Sequence, residues 1–250
     1  MSTLSGRVAI VTGASRGLGR AMAQALAGAG ADVAVAGRAK PDLEETAHGI
    51  ERVGRRALVV PTDVTSFVEV ETLVERAHEE FGRLDVLVNN AGLAKVKPLV
   101  EWTPDEWRAL VDINLLGVFN GCRAAARHLL AQRSGKVVNV SSMLAAVGLS
   151  GYSIYSATKG AIVAFTRALG VEWARQNVQV NAIAPGWFDT EMSAPAWADD
   201  KVAERLIRDI PARRIGRPEE IGPLVVYLAS AASDFMTGQT IFLDGGHTAA

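Results

Sequence analysis

The side chains with the clearest capacity for chemistry lie in the segment 139–160, which contains Ser142, Tyr155 and Lys159. Tyr155 and Lys159 are four residues apart at the predicted start of a helix, so their side chains share one face. An ammonium close to a phenol favours the phenolate and lowers the phenol's pKa from about 10 toward neutrality. A packing tyrosine beside a solvated lysine is the alternative for this pair taken alone. With Ser142 at the end of the preceding apolar run, the pattern predicts three groups that converge on one reacting atom.

A second pattern is the glycine-rich turn at 12–19, which reads Thr-Gly-Ala-Ser-Arg-Gly-Leu-Gly and joins the first predicted strand to an alanine-rich helix. Glycines let the backbone approach a pyrophosphate, whose charge is met by the amides and dipole of the helix N-terminus. The spacing Gly-x-x-x-Gly-x-Gly differs from the general dinucleotide fingerprint, and a plain tight connection is the alternative. Its position between strand and helix favours a dinucleotide site.

The end of the second predicted strand carries Gly37 and Arg38 where a carboxylate for a ribose 2′-hydroxyl is usual. Arg38 and Arg16 together suit a 2′-phosphate, because a guanidinium makes forked contacts with phosphate oxygens. The alternative is that both arginines are solvated surface charges. These residues predict that NADP(H) is preferred over NAD(H).

Short β-branched runs alternate with helical patterns along the whole chain. This alternation predicts an α/β fold, a single Rossmann-type doubly wound parallel seven-stranded sheet with helices on both faces. The predicted strands are 7–12, 32–36, 57–61, 85–89, 136–140, 178–183 and 239–243. Residues 1–250 are expected to form one dinucleotide-binding oxidoreductase domain, and the irregular, aromatic-rich stretch that begins at Gly186 predicts a substrate lid at about 186–212.

Composition excludes several classes of function. The formal net charge is -1, with no basic block, so neither nucleic acid nor a membrane surface is an expected partner. Cys122 is the only cysteine, and the four histidines have no metal-ligand spacing, so we expect no disulfide and no metal. No apolar run reaches the length of a signal or membrane segment, and a cytoplasmic location is expected.

Several motifs that fall in order resemble the short-chain dehydrogenase/reductase family, and the resemblance covers essentially the whole chain. They are 12–19, Asp63 with Val64, 89–92, Asn114, Ser142, Tyr155 with Lys159, and Pro185 with Gly186 followed by Thr190. The resemblance implies that Ser142 orients the substrate carbonyl, Tyr155 is the acid or base, and Lys159 binds the nicotinamide ribose and lowers the pKa of the tyrosine. It also implies that Asn114 holds a water in a proton relay to Lys159.

The same resemblance distributes the cofactor contacts along the chain. Asp63 and Val64 are expected at the adenine, 90–92 beside the adenosine, and 185–190 at the nicotinamide. The complete set of expected cofactor-binding residues is Gly13, Ser15, Arg16, Gly17, Leu18, Gly19, Arg38, Asp63, Val64, Asn90, Ala91, Gly92, Tyr155, Lys159, Pro185, Gly186, Phe188 and Thr190. Family resemblance further implies a homotetramer built on the long helices predicted at 104–130 and 154–173.

The predicted function is that of an NADP(H)-dependent oxidoreductase that interconverts a ketone and a secondary alcohol by hydride transfer. The chain is similar to both sugar or polyol dehydrogenases and 3-oxoacyl-acyl-carrier-protein reductases of the family. Aromatic residues in the lid favour a free small carbonyl, sugar or polyol, and the carrier-bound acyl chain is the alternative. A non-catalytic NADP(H)-sensing module is the alternative of another class.

Overall fold

The computed structural model describes residues 3–250 and shows a parallel sheet of seven strands in the order β3-β2-β1-β4-β5-β6-β7. The strands are β1 (Val8–Thr12), β2 (Asp32–Gly37), β3 (Ala57–Pro61), β4 (Val86–Asn89), β5 (Gly135–Val140), β6 (Val178–Pro185) and β7 (Thr240–Leu243). The predicted fold class is confirmed, and each predicted strand end lies within two residues of the observed one.

Burial on both faces explains why the inner strands read as continuous apolar runs. Every residue of β1, β2, β4, β5 and β6 is buried, whereas the edge strands β3 and β7 are partly exposed. Successive side chains enter opposite cores, as Ile10 and Val11 of β1 do. The sheet therefore holds the ends of its strands in fixed positions.

Helices cover both faces of this sheet. They are α1 (Gly17–Gly28), α2 (Lys40–Glu51), α3 (Phe67–Phe81), α4 (Pro104–Val111), α5 (Gly117–Ala131), α6 (Ser153–Trp173), α7 (Ala194–Trp197), α8 (Asp200–Asp209) and α9 (Gly222–Ala229). Ser66 caps α3, and Thr103 with Glu106 forms a capping box at the start of α4. Within the described part of the chain, no helix combines the length and the apolar character that crossing a membrane requires.

The long helix predicted at 104–130 is interrupted. A π-helical turn, Asp112–Leu116, separates α4 from α5. Asn114 at its centre is fully buried, and its side chain bonds the main chain of Leu93 in both directions, at 2.9 Å each. Such turns often occur at functional sites. The interruption therefore coincides with a contact between Asn114 and a loop that lies 21 residues earlier in the chain.

Strand β1 is linked to the central strand β4 by the carboxylate of Asp85, which is 2% exposed. Asp85 accepts the main-chain N–H of Val8 at 2.9 Å. It also pairs with Arg7 and Arg83, each at 2.7 Å. A buried carboxylate is tolerated only with such partners, so this cluster fixes the register of the two middle strands.

Candidate active site

A cleft of about 580 Å³ opens at the carboxyl ends of the parallel strands. It lies where the strand order changes direction, between β1 and β4, which is the general place for ligands in open α/β sheets. Gly13 follows β1, Asn90 follows β4, Ser142 follows β5, and Pro185 ends β6; all four residues line the cleft.

The glycine-rich turn has no room for side chains. A Cβ at Gly13 would lie 2.8 Å from the Cα of Ala91, and one at Gly19 only 2.1 Å from the carbonyl oxygen of Gly13. Gly13 and Gly17 also have positive φ angles, which disfavour other residues. Asn90 braces the turn by donating to the carbonyl oxygens of Thr12 and Gly13 at 3.0 and 3.1 Å. The tight turn fits the close backbone approach that a pyrophosphate requires.

The N-terminus of α1 begins inside this cleft. Its N-cap, Arg16, is extended and provides no side-chain cap among the described residues. The first N–H groups of a helix need partners from outside the helix, and together with the helix dipole they favour an anion. The residues present therefore fit the diphosphate of a dinucleotide cofactor.

Four charged side chains, those of Arg16, Arg38, Asp63 and Glu191, occupy the part of the cleft next to this turn. Arg38 is exposed, and its charge contributes to lowering the pKa of Asp63, although hydrogen bonds from Thr65 have the larger effect. Arg16 forms an ion pair with Glu191 in the segment 186–212, with 2.5 Å between Nη1 and Oε2. Both arginines predicted to meet a 2′-phosphate thus line one cleft, and Arg16 has a carboxylate partner that the sequence did not indicate.

Ser142, Tyr155 and Lys159 converge where α6 begins above the end of β5. The Ser142 hydroxyl accepts the main-chain N–H of Leu144 at 3.2 Å, which fixes its position. The Lys159 ammonium donates to the main-chain oxygen of Val140 at 2.8 Å and lies 5.6 Å from the centre of the Tyr155 ring. The helical spacing thus brings these groups together as predicted.

The pKa of the phenol departs from the prediction. Burial raises the pKa of Tyr155 to about 12, and the Ser142 hydroxyl opposes this shift only in part. Burial also lowers the pKa of Lys159 to about 8. The expected lowering of the Tyr155 pKa by Lys159 is not found, because loss of water penalises the charged form of both groups. The four-residue spacing of Tyr155 and Lys159 contains no information about their burial, so it could not predict this pKa shift.

All but one of the predicted site residues line this cleft. They are Gly13, Ser15, Arg16, Gly17, Leu18, Gly19, Arg38, Asp63, Val64, Asn90, Ala91, Gly92, Ser142, Tyr155, Lys159, Pro185, Gly186, Phe188 and Thr190. Asn114 lies behind the lining, and its amide nitrogen also donates to Thr158 Oγ1 at 3.3 Å. Both polar atoms of the Asn114 side chain are therefore engaged with protein groups.

A row of aromatic rings runs from the Tyr155 phenol into the segment 186–212. The ring centres of Tyr155 and Tyr152 are 6.2 Å apart, those of Tyr152 and Trp187 are 6.4 Å apart, and those of Trp187 and Trp197 are 5.4 Å apart. Each pair packs edge to face, an arrangement that aromatic rings favour. Ala94, Met143, Leu144 and Met192 also line the cleft and make this part of its wall largely apolar. Across residues 3–250, no cluster of three His, Cys, Asp or Glu side chains is arranged to hold a metal ion.

The fold and this cleft define an α/β protein of the dinucleotide-binding type, and comparisons identify its family. A family model described as enoyl-(acyl carrier protein) reductase matches residues 13–248. The chain is 43% identical to the cis-4-hydroxycyclohexanecarboxylate dehydrogenase of Sinomonas cyclohexanicum, over 97% of each chain. It is 37% identical to a 3-oxoacyl-acyl-carrier-protein reductase of Synechocystis, over 98% of each chain.

A solved structure extends the comparison to the cofactor. The gluconate 5-dehydrogenase of Burkholderia cenocepacia J2315, in complex with NADP and tartrate, superposes with a TM-score of 0.95 and 38% identity, covering 99% of this chain and 97% of that one. The chain belongs to the short-chain dehydrogenase/reductase family. It is an oxidoreductase, like the dehydrogenases and reductases it resembles.

Proposed function

We propose that this chain interconverts a ketone and a secondary alcohol with NADP(H) as the hydride carrier. The observation that carries the proposal is the convergence of Ser142, Tyr155 and Lys159 in the cleft that also holds the glycine-rich turn. The bound cofactor supplies the hydride, and the protein supplies geometry and a proton.

Each of the three side chains has a separate task. Ser142 donates its hydroxyl hydrogen to the substrate oxygen, while one lone pair of its oxygen accepts the N–H of Leu144 and holds the side chain in place. Tyr155 gives its proton to the alkoxide that develops during reduction, and a phenol whose pKa is raised to about 12 holds that proton at neutral pH. Lys159 stays close to the phenol and holds the ribose of the nicotinamide half.

Asn114 is proposed to hold a water that passes a proton toward Lys159. The structure restricts how it can do so. Its side-chain oxygen accepts the N–H of Leu93, and its amide donates to Leu93 and Thr158. Both N–H groups of the Asn114 amide are used, so we propose that the water donates to an oxygen of Asn114, and the irregular hydrogen bonding of the surrounding π-helical turn makes its main-chain oxygen the favoured acceptor.

The preference for NADP(H) over NAD(H) rests on Arg16 and Arg38. Both line the cleft, at a place where no carboxylate ends β2 to accept a ribose hydroxyl. Bound NADP in the related gluconate 5-dehydrogenase supports the same choice. We propose that the other expected cofactor-binding residues, which also line the cleft, contact NADP(H) as well.

For the substrate we favour a free small carbonyl compound, a sugar or a polyol. The apolar, aromatic wall can enclose a compact ligand. The relatives named for gluconate and for cis-4-hydroxycyclohexanecarboxylate support a small-molecule substrate. A carrier protein would need a basic docking patch. Arg127 is paired with Glu71 and Glu75, and Arg133 donates to the main-chain oxygen of Arg175. The carrier-bound acyl chain is therefore the second candidate.

We further propose that 186–212 acts as a lid over a single catalytic domain, and that the enzyme is a cytoplasmic homotetramer. The segment contributes Trp187 and Met192 to the cleft and carries the two helices α7 and α8. Exposed apolar side chains on the long helices, such as Phe119, support assembly.

The first test replaces Tyr155 by phenylalanine. We expect turnover of the best ketone, found with a panel of small ketones, keto-sugars and a 3-oxoacyl carrier protein, to fall by about 10²–10⁴-fold, because general acid catalysis usually contributes that much. The Kd for NADPH should change little. Turnover is followed by NADPH absorbance, with the exposed Tyr227→Phe as control.

Two outcomes would contradict the proposal. If Tyr155→Phe kept more than about a tenth of wild-type turnover, Tyr155 would not be the proton donor. If the wild type bound NADPH tightly and reduced nothing across the panel, the non-catalytic sensing module would be favoured.

A further inference from the structure

The ion pair between Arg16 and Glu191 joins two functional segments that are 175 residues apart. Arg16 belongs to the glycine-rich turn, and Glu191 follows Thr190 in the lid. Both residues line the cleft, and their charged atoms are 2.5 Å apart. The pair therefore lies at the solvent-exposed edge of the cleft where the cofactor is proposed to bind.

A guanidinium that already holds a carboxylate is a weaker ligand for a second anion. Arg16 has to release or share Glu191 before it can make forked contacts with a phosphate. Glu191 also brings a negative charge next to the place where that phosphate would bind, and like charges repel. Arg38 lines the same cleft and does not belong to this pair, so it can bind a phosphate without releasing Glu191.

We propose that Glu191 sets the strength of the NADP(H) preference by competing with the cofactor's 2′-phosphate for Arg16. The proposal rests on the NADP(H) preference proposed above. Glu191 is then a specificity-determining residue that weakens the preference for NADP(H) over NAD(H). It does so from the proposed lid, which closes over the nicotinamide side.

The exposure of the Arg16 and Glu191 side chains limits how much Glu191 can weaken phosphate binding. The side chains of Arg16 and Glu191 are 63% and 69% exposed, so the pair is screened by solvent. Exposed pairs contribute little, and removing the competitor should strengthen phosphate binding by up to about fivefold. The gain should shrink at high salt, because screening already weakens the pair there.

The test measures binding of two cofactor fragments by calorimetry, 2′,5′-ADP and 5′-AMP, which differ by the 2′-phosphate and lack the nicotinamide. We expect Glu191→Gln to bind 2′,5′-ADP about two- to fivefold more tightly than the wild type, with 5′-AMP unchanged. The same titrations at low and high salt should show the gain only at low salt.

Asp189→Asn is the matched control, because Asp189 is an exposed lid carboxylate two residues away that is not part of the cleft lining or the Arg16 pair. It should leave both affinities unchanged. If Glu191→Gln changed neither affinity, changed both equally, or matched Asp189→Asn, the competition would be rejected. A wild type that bound 2′,5′-ADP no better than 5′-AMP would instead reject the NADP(H) preference itself.

Discussion

Lys159 is a buried cation whose side chain is held by one main-chain oxygen, that of Val140. Burial lowers its pKa from 10.5 to about 8. The unfolded chain therefore binds the proton more tightly than the folded chain between pH 8 and pH 10.5. The free energy of unfolding should rise with pH through this window. The active site thus lowers the stability of the fold at neutral pH.

Replacing Lys159 by methionine removes this titration. We expect the wild type to gain about 2 kcal/mol of unfolding free energy, relative to Lys159→Met, between pH 7 and pH 9.5. Above pH 10 the raised pKa of Tyr155 acts in the opposite direction, because only the unfolded chain then loses the phenol proton. Urea denaturation at four pH values measures the difference.

Exposed Lys201→Met serves as the control and should follow the wild-type curve. Loss of the hydrogen bond to Val140 lowers the free energy of unfolding of Lys159→Met equally at every pH. It therefore cannot produce the expected dependence of the wild-type minus variant difference on pH. Parallel pH curves for the wild type and Lys159→Met would show that Lys159 is not held at a lowered pKa.

At the scale of elements, helix α5 approaches strand β4 through Gly121. A Cβ at Gly121 would lie 2.1 Å from Oδ1 of Asn89. The amide of Asn89 donates to Oδ1 of Asn139 at 2.9 Å, and Asn139 donates to Thr166 Oγ1 at 3.0 Å. A side chain at Gly121 would therefore disturb a buried polar network that joins β4, β5 and α6.

Gly121→Ala is expected to lower the free energy of unfolding by about 1–3 kcal/mol, because overpacking a core contact costs that much. This is the reverse of the usual gain from alanine in a helix. The control is Gly28→Ala at the end of α1, where no atom lies within 4 Å of the new Cβ. Gly28→Ala should leave the free energy of unfolding unchanged or raise it. If Gly121→Ala raised the free energy of unfolding instead, α5 would be able to move away from β4, and the prediction would be wrong.

The strands and most of the cleft could be predicted from the sequence because their signals are local. Two-sided burial produces the apolar run of β1, and the spacing of Tyr155 and Lys159 puts both on one face of α6. The π-helical turn at Asn114, the raised pKa of Tyr155 and the pairing of Glu191 depend on contacts between distant segments. No short window of sequence contains those contacts.

For the whole molecule, exposed apolar side chains on α5 and α6 offer a candidate contact face for the proposed homotetramer. Phe119 on α5 is 38% exposed, and its ring centre lies 4.6 Å from that of Phe165 on α6. We expect this two-helix face to bury itself against a second copy in the proposed homotetramer.

Phe119→Asp should therefore shift the protein to smaller species at micromolar concentration, because a charge in the centre of an apolar interface loses its hydration. Light scattering coupled to size exclusion measures the mass. Val68→Asp, at a 70% exposed position on α3, is the control and should keep the wild-type mass. A monomeric wild type, or a tetrameric Phe119→Asp variant, would contradict the proposed interface.

The Asp85 cluster also has a consequence for synthesis on the ribosome. β1 pairs with β4 through contacts such as that between Val8 and Asp85, 77 residues apart. Such distant pairings form late in folding. Until β4 has left the ribosome, the inner edge of β1 keeps its main-chain hydrogen-bonding groups unpaired. Nascent chains shorter than this are therefore expected to be the ones most prone to aggregate and to need chaperones.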